Sequence, residues 1–190
     1  MMTVSTAGAS QAPNENSRQE ALRQVAAFLG RDTGLALEGG AMAPLGPGEV
    51  AELRRLRPGE LGGSAFWRVA MGVLEPARLI SLGARREEEA ALWVVILGLM
   101  ATMRGLHQPG RRLGVGLAKA GFSEQRFSAL LRAEGGALHD QLRRAVRFLG
   151  AKGEAIDLVD LAELVLSDGA KNHNTPRRAQ ARAFYSNQKS

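Results

Sequence analysis

The stretch from Arg111 to Arg147 concentrates positive charge in a way that suits phosphate binding. It holds eight basic residues against three acidic ones, a net charge of +5 over 37 residues. The basic residues are Arg111, Arg112, Lys119, Arg126, Arg132, Arg143, Arg144 and Arg147. A planar guanidinium donates two parallel hydrogen bonds to one phosphate, whereas a lysine ammonium offers a point charge. We therefore predict that this stretch contacts the backbone of a nucleic acid.

Arginine dominates the basic residues of the whole chain, and the surplus lies in the middle. Of the 25 basic residues 21 are arginine, and the formal net charge is +6. Residues 51–150 carry +7, whereas residues 1–50 carry −2 and residues 151–190 carry +1. A composition rich in Ala, Gly and Arg also arises in GC-rich genomes. Arginine content alone therefore does not distinguish nucleic-acid binding from the composition of a GC-rich genome.

Groups that could carry out catalysis do not converge in this sequence. His107, His139 and His173 are scattered, with no carboxylate or hydroxyl at a spacing typical of a triad. The chain has no cysteine, which excludes disulfides, thiolate metal ligands and thiol nucleophiles. We predict a protein that is not an enzyme and that holds no metal or cofactor.

The sequence contains no segment typical of a membrane or secreted protein. The longest apolar run, Ala90 to Met103, is shorter than the roughly 20 residues that cross a bilayer. The first sixteen residues lack the basic segment followed by an apolar stretch that marks a secretory signal. The absence of cysteine fits a reducing compartment. We predict a soluble, cytoplasmic protein without membrane contact.

The hydrophobic pattern predicts an all-α protein made of two small helical bundles, with flexible N- and C-terminal segments. Strand alternation and internal repeats are absent from the sequence. The predicted divisions are a disordered extension over 1–16, bundles over 17–106 and 107–168, and a basic tail over 169–190. A short hinge containing Pro109 and Gly110 joins the bundles. In the tail, Thr175 followed by Pro176 can start a short helix.

Apolar spacing and capping residues place the helices of the first bundle. Ser17 and Ser64 are predicted N-caps, and a long helix is predicted from about residue 78 to residue 104. Its second half is apolar nearly all round, so it should form the centre of the bundle. The aromatic residues Phe66, Trp67 and Trp93 are predicted to be core residues rather than platforms for stacked bases.

The second bundle should carry a basic helix surface. Ser123 and Asp157 are predicted N-caps of two of its helices. In another predicted helix Leu142 belongs to an apolar stripe, while Arg143 and Arg147 lie one turn apart and Arg144 lies beside them. With few acidic residues nearby, these arginines are predicted to form an exposed basic face.

Two other function classes remain open at this point. The segment from Leu117 to Arg132 has the pattern of two short helices joined by a glycine-containing turn, which is typical of a dimeric helix-turn-helix transcription regulator. Its second helix offers only Gln125, Arg126 and Ser128 to base edges, and distributed charge favours contacts with backbone over contacts with bases. The other class is a helical scaffold whose arginines pair only with acidic proteins.

Two blocks of the sequence resemble the CasB family, the small subunit of the type I-E CRISPR Cascade complex. The first block is GEVAELRRLRPGE followed by AFWRV, and the second is RRLGVGLAKAGFSEQRFSALLRAEG followed by LHDQLRRAVRFL. The resemblance spans about residues 47 to 167, in matching order and spacing, and the closing PRRAQARAFY is similar to a family tail. It implies an all-α fold of two helical bundles without catalytic activity.

The resemblance also implies partners and contact residues. The partners would be other Cascade subunits, a second copy of the chain, guide RNA, and the target and displaced non-target DNA strands, whose R-loop the subunit stabilises. The residues that match nucleic-acid-contacting positions of the family are Arg54, Arg55, Arg126, Arg132, Arg143 and Arg144, to which Arg147 and Lys171 are added. Base pairing between guide and target reads the sequence in such complexes, so the protein need only supply positive charge along the strands.

Overall fold

The computed structural model describes residues 15–29, 45–57, 59–60, 62–80, 87–169 and 174–188. In these residues the only strand-like pairing is an isolated bridge between His107 and Ile156. The helices are α1 (Glu15–Leu29), α2 (Pro47–Arg55), α3 (Ser64–Val69), α4 (Glu87–Thr102), α5 (Leu113–Lys119), α6 (Glu124–Arg132), α7 (Gly135–Lys152), α8 (Leu158–Leu166) and α9 (Asn174–Tyr185). A π-helical turn, Ala70–Leu74, continues α3. The prediction of an all-α protein is confirmed.

Helix α4 lies at the centre of the molecule because its second half is apolar on every side. Trp93, Ile96 and Leu97 are fully or almost fully buried, and α4 packs against α2, α7 and α8. The predicted helix from 78 to 104 was too long. Arg78 has a φ of 57°, a left-handed conformation that an α-helix cannot continue, and α4 itself begins at Glu87.

Apolar side chains from both halves of the chain bury one continuous cluster. Besides the contacts of α4 with α7 and α8, α1 packs against α8, and Gln19 Nε2 donates a hydrogen bond of 3.2 Å to Glu163. Helices on either side of the predicted boundary at residues 106 and 107 therefore share a core. The division of the chain into two separate bundles stays a prediction.

The connection predicted as a hinge, residues 107–110, is pinned by hydrogen bonds to the segment before α8. The amide of Ile156 donates to Leu106 at 3.0 Å, and its carbonyl accepts from Gln108 at 2.9 Å. The Asp157 carboxylate accepts the amide of Gly110 at 2.7 Å. These contacts fix the path of the chain between α4 and α5.

Two of the predicted N-caps are confirmed and two are wrong. Ser123 accepts the amide of Arg126 at the start of α6, and Asp157 accepts the amide of Val159 at the start of α8. Ser17, by contrast, lies inside α1, which begins at Glu15. Ser64 is the first residue of α3, and its hydroxyl donates to Glu52 of α2 instead of capping the helix.

Trp67 is not a core residue, contrary to the prediction. Phe66 and Trp93 are each 2% exposed, but Trp67 is 40% exposed. Helix α3 buries a face that contains Phe66 and Val69, and Trp67, about 100° further round the helix from Phe66, lies outside that face. The rings of Phe66 and Trp67 still meet edge to face, with centroids 5.5 Å apart.

Within the C-terminal segment, residues 174–185 form a helix that packs against the rest of the molecule. A helix was predicted to start near Thr175, and α9 does form there, but it packs against α5 and buries Phe184 and Gln180 completely. The Phe184 ring stacks on Phe127 with centroids 3.9 Å apart. The sequence of α9 looks polar because even its buried face includes Gln180. The side-chain amide of Gln180 can be buried because both of its polar atoms form hydrogen bonds.

A close approach between α5 and α9 depends on glycine. A Cβ built on Gly114 would collide with the backbone carbonyl of Gln180 and lie 2.9 Å from the amide nitrogen of Phe184. No rotamer change can relieve a clash with backbone atoms. We expect Gly114→Ala to push α9 outward and to lower the free energy of unfolding by about 1–3 kcal/mol, as is typical of an overpacked core. Gly150→Ala is the control in urea denaturation, because Gly150 is exposed and has open space around it.

His139 of α7 should make the stability of the protein depend on pH. Burial lowers the pKa of His139, with Asp168 and Asp140 opposing this effect and Arg143 adding to it, and its Nε2 has no hydrogen-bond partner among the described residues. Below about pH 6.5 the unfolded chain gains a proton that the folded chain does not bind. Stability contributed by the neutral imidazole is therefore present at pH 7.5 and is lost as the pH falls from about 6.5 through the folded pKa.

We expect the free energy of unfolding to fall less between pH 7.5 and pH 5.5 in the His139→Leu variant than in the natural protein. Urea denaturation at the two pH values measures this difference. All other residues are the same in both proteins, so the difference reports on His139 alone. An identical pH dependence would contradict the assignment.

Candidate nucleic-acid interface

Arginines from distant parts of the sequence meet in a groove of about 860 Å³ between α2 and α7, called here the α2–α7 groove. Its basic lining consists of Arg54, Arg55, Arg57, Arg143 and Arg147. The remaining lining residues are Leu56, Gly98, Thr102 and Val146. The groove therefore joins two arginine pairs that the sequence predicted separately and adds one more arginine.

Local structure explains why the arginines of α7 face the groove. Leu142, Val146 and Leu149 are buried on the inner face of the helix, and residues one position further on lie about 100° around it. Arg143 and Arg147 thus lie together, one turn apart, along the edge of the buried face. Arg147 is exposed and Arg143 is half-buried.

Arg54 of α2 is positioned by a hydrogen bond to α4. Arg54 Nε donates a hydrogen bond of 2.8 Å to the carbonyl of Ala101, in the last turn of α4. A cation is favourable there because the C-terminal carbonyls of a helix carry partial negative charge. The helices approach closely, since a Cβ on Gly98 would lie 3.2 Å from the carbonyl oxygen of Leu53. The Nε–H of Arg54 thus bonds to α4, while its terminal nitrogen atoms, Nη1 and Nη2, can bind a ligand.

The acidic residues of α2 are used elsewhere and leave the groove positive. Glu49 accepts the amide of Gly46 at 2.8 Å and pairs with Arg68, and these contacts hold the pKa of Glu49 below its ordinary value. Glu52 accepts the amide of Ala65 at 3.0 Å. None of the five groove arginines forms an ion pair with a carboxylate in the described part of the chain. Close, unneutralised cations on a concave surface favour a polyanionic ligand.

The model of the family described as CRISPR-associated protein Cse2 matches residues 49–185. The chain belongs to the Cse2 family. The matched region begins in α2 and ends at the last residue of α9, so it contains every arginine of the α2–α7 groove. The resemblance to the CasB family seen in the sequence is thereby confirmed.

Two solved structures, both of proteins from Thermus thermophilus, have the same fold as this Cse2-family chain. One is CasB, which is 24% identical with a TM-score of 0.58. The other is a CRISPR-associated protein of the Cse2 family, which is 25% identical with a TM-score of 0.57. In both comparisons the match covers 90% of this chain and 97% of the other. A comparison with curated proteins gives no match.

The structure separates the other predicted contact residues of this Cse2-family chain from the α2–α7 groove. Lys119, Arg126, Arg132 and Arg144 are at least partly exposed but do not line it. Lys171 lies outside the described residues. For these five positions the predicted contact with nucleic acid stays a prediction.

Arg111 and Arg112 differ from the rest because each has an acidic partner. Arg111 pairs with Glu154, donates to Gln108 at 3.2 Å, and has a side chain only 18% exposed. This pairing links the chain before α5 to the segment before α8, which argues against the predicted phosphate contact of Arg111. Arg112 lies 3.5 Å from Asp160 but remains half exposed.

Arg57 is a groove residue that the sequence reasoning missed. It lies two residues after α2 in the RRLRP motif, of which the resemblance implies contacts only for Arg54 and Arg55. The helix ends at Arg55, so Arg57 does not follow helical spacing. Its place within the same basic motif is the signal that the sequence offers.

His107 makes structural contacts with the start of α8. His107 Nδ1 accepts the amide of Leu158 at 3.1 Å and lies 3.9 Å from Asp157. His173 lies outside the described residues. In the described ranges no three His, Asp or Glu side chains are grouped so that they could hold a metal ion.

None of the helices described is long and apolar enough to cross a membrane.

The predicted helix-turn-helix segment does form two short helices, α5 and α6, with Gly121 at a φ of 79° between them. Gln125 and Arg126 are exposed on α6, whereas Ser128 is partly buried. Helix α5 lies under α9, which is part of the region matched by the Cse2 family. The family match accounts for this pair of helices as part of a larger fold.

Proposed function

We propose that this chain is a non-catalytic, nucleic-acid-binding small subunit of a type I-E CRISPR Cascade effector complex. In that role it stabilises guide RNA, target DNA and the displaced non-target strand of the R-loop. The observation that carries the proposal is the α2–α7 groove, whose five arginines lack acidic partners among the described residues and lie within the matched Cse2 region.

The chemistry of the groove suits a ligand recognised by its backbone rather than its bases. Guanidinium groups bind phosphate oxygens in any sequence context, and positive charge distributed along a groove favours contacts with backbone over contacts with bases. In a guide-directed complex this is sufficient, because pairing with the guide supplies the sequence specificity. The partners of the chain in this proposal are the other Cascade subunits and a second copy of the chain. The proposed location is the cytoplasm.

A pull-down of the tagged full chain from its host tests this proposal. Mass spectrometry of the co-purified proteins and sequencing of the bound RNA should identify large complex subunits and repeat-derived guide RNA. Enrichment of one promoter without these partners would favour the helix-turn-helix regulator instead. A regulator would also bind its own duplex at least about 10³-fold more tightly than random DNA.

Salt dependence provides a second test, with the purified protein and a labelled oligothymidine. Each phosphate contact with a single strand should contribute about −0.7 to the slope of log affinity against log salt concentration. If three to five groove arginines each contact a phosphate, we expect a slope of about −2 to −3.5. A slope near zero, or no binding at low salt, would favour a scaffold that pairs only with acidic proteins.

A further inference from the structure

A second basic groove lies on α9 and has no lining residue in common with the first. It has a volume of about 550 Å³ and is lined by Arg112, Arg178, Ala179, Arg182, Ala183 and Ser186. Arg178 and Arg182 are one turn apart and exposed on the outer face of α9, and Arg112 immediately precedes α5. This surface is called here the α9 groove.

We propose that the α9 groove is a second, independent phosphate-binding site, which holds a different segment of nucleic-acid backbone from that in the α2–α7 groove. The proposal rests on the proposed function for the identity of the ligand. The ligand chemistry is a phosphodiester backbone of a single strand. Three guanidinium groups converge on the site, and no acidic residue is part of the described lining.

The charges of this groove are available to a ligand. Among the described residues Arg178 and Arg182 form no ion pair. The contact of Arg112 with Asp160 is 3.5 Å long and leaves the Arg112 side chain half exposed. Between the arginines the surface is formed by Ala179 and Ala183, whose methyl groups allow a backbone to approach the helix closely.

Buried hydrogen bonds position this groove. Gln180, on the opposite face of α9 from the groove, accepts the amide of Gly114 at 2.9 Å and donates to Asp160 at 2.6 Å. Asp160 also accepts the amide of Leu113 at 3.1 Å. One carboxylate thus connects α8 with the start of α5, with α9 and with Arg112. This network fixes the register between Arg112 and the two arginines of α9.

The α9 groove is independent of the first groove in its construction. The two share no lining residue, and α9 and the residue before α5 contribute nothing to the lining of the α2–α7 groove. The arginines that bind a ligand in one groove are therefore not the arginines that bind a ligand in the other. The chain can hold two backbone segments at once, which suits a subunit placed among several strands.

The number of short oligonucleotides bound per protein tests this inference. The probe is a ten-residue oligothymidine, titrated into the full chain at about 50 mM salt and analysed by native mass spectrometry. We expect two oligonucleotides per natural protein and one per Arg178→Gln, Arg182→Gln double variant. The matched control is the Arg23→Gln, Lys152→Gln variant, which loses the same charge at positions outside both grooves and should bind two.

The reciprocal variant, Arg143→Gln with Arg147→Gln, separates this inference from the proposed function. It should also bind one oligonucleotide, and further substitution of Arg178 and Arg182 should abolish binding. Retention of two oligonucleotides by the α9 variant, or no binding by the natural protein, would overturn the inference. If only the α9 substitutions reduce binding, the second site stands and the assigned role of the α2–α7 groove fails.

Discussion

Reversing two charges of the α2–α7 groove should weaken binding of target DNA by the assembled complex by about 10- to 100-fold. The change is Arg143→Glu together with Arg147→Glu, on the side of the groove formed by α7. Each lost phosphate contact removes the counterion release that drives association, and each new carboxylate repels the backbone. Arg54 is left unchanged because it also donates to the carbonyl of Ala101, so its loss would mix binding with stability.

The measurement is an R-loop assay on a supercoiled target at several salt concentrations. The charge-matched control is Arg23→Glu with Lys152→Glu, since both side chains reach solvent and neither lines the α2–α7 groove. The defect of the groove variant should shrink as salt rises, because screening removes the electrostatic term from both proteins. Equal effects of groove and control variants would mean that overall charge, rather than this groove, governs binding.

Individual groove residues could be predicted from the sequence, but the groove itself could not. Arg143 and Arg147 follow from helical spacing beside an apolar stripe, and Arg54 and Arg55 from a short family motif. Their meeting depends on how α2 and α7 pack around α4, which no local pattern specifies. The same limit explains why the sequence predicted a phosphate contact for Arg111. Its ion-pair partner, Glu154, is 43 positions away. A basic run in sequence does not reveal which of its members are neutralised by distant carboxylates.

The C-terminal segment shows a different limit of sequence reasoning. Hydrophobic periodicity detects buried apolar stripes, but the buried face of α9 consists of Arg177, Gln180 and Phe184. Arg177 is buried because it donates to the carbonyl of Leu131 at 3.0 Å and pairs with Asp168 at 2.9 Å. A polar residue that finds partners inside the fold looks the same in sequence as one that faces solvent.

Truncating Phe184 should strongly destabilise the protein, although it lies in a helix whose sequence looks mostly polar. Its ring is fully buried and stacked on Phe127, and its removal leaves a cavity between α5, α6 and α9. We expect Phe184→Ala to lower the free energy of unfolding by about 3–5 kcal/mol, the range for a buried phenylalanine. The loss should also release α9 and separate Arg178 and Arg182 from Arg112.

The neighbouring Tyr185 provides a matched control for this substitution. Its side chain is 46% exposed, and its hydroxyl makes one exposed hydrogen bond of 3.2 Å to Glu124. We expect Tyr185→Ala to cost about 1–2 kcal/mol, clearly less than Phe184→Ala, because an exposed hydrogen bond contributes little and its half-exposed ring meets Phe184 and Phe127 only edge to face. Urea denaturation of the two variants measures the difference. If Phe184→Ala were as stable as Tyr185→Ala, α9 would not be part of the core, and the α9 groove would lose the helix that positions two of its three arginines.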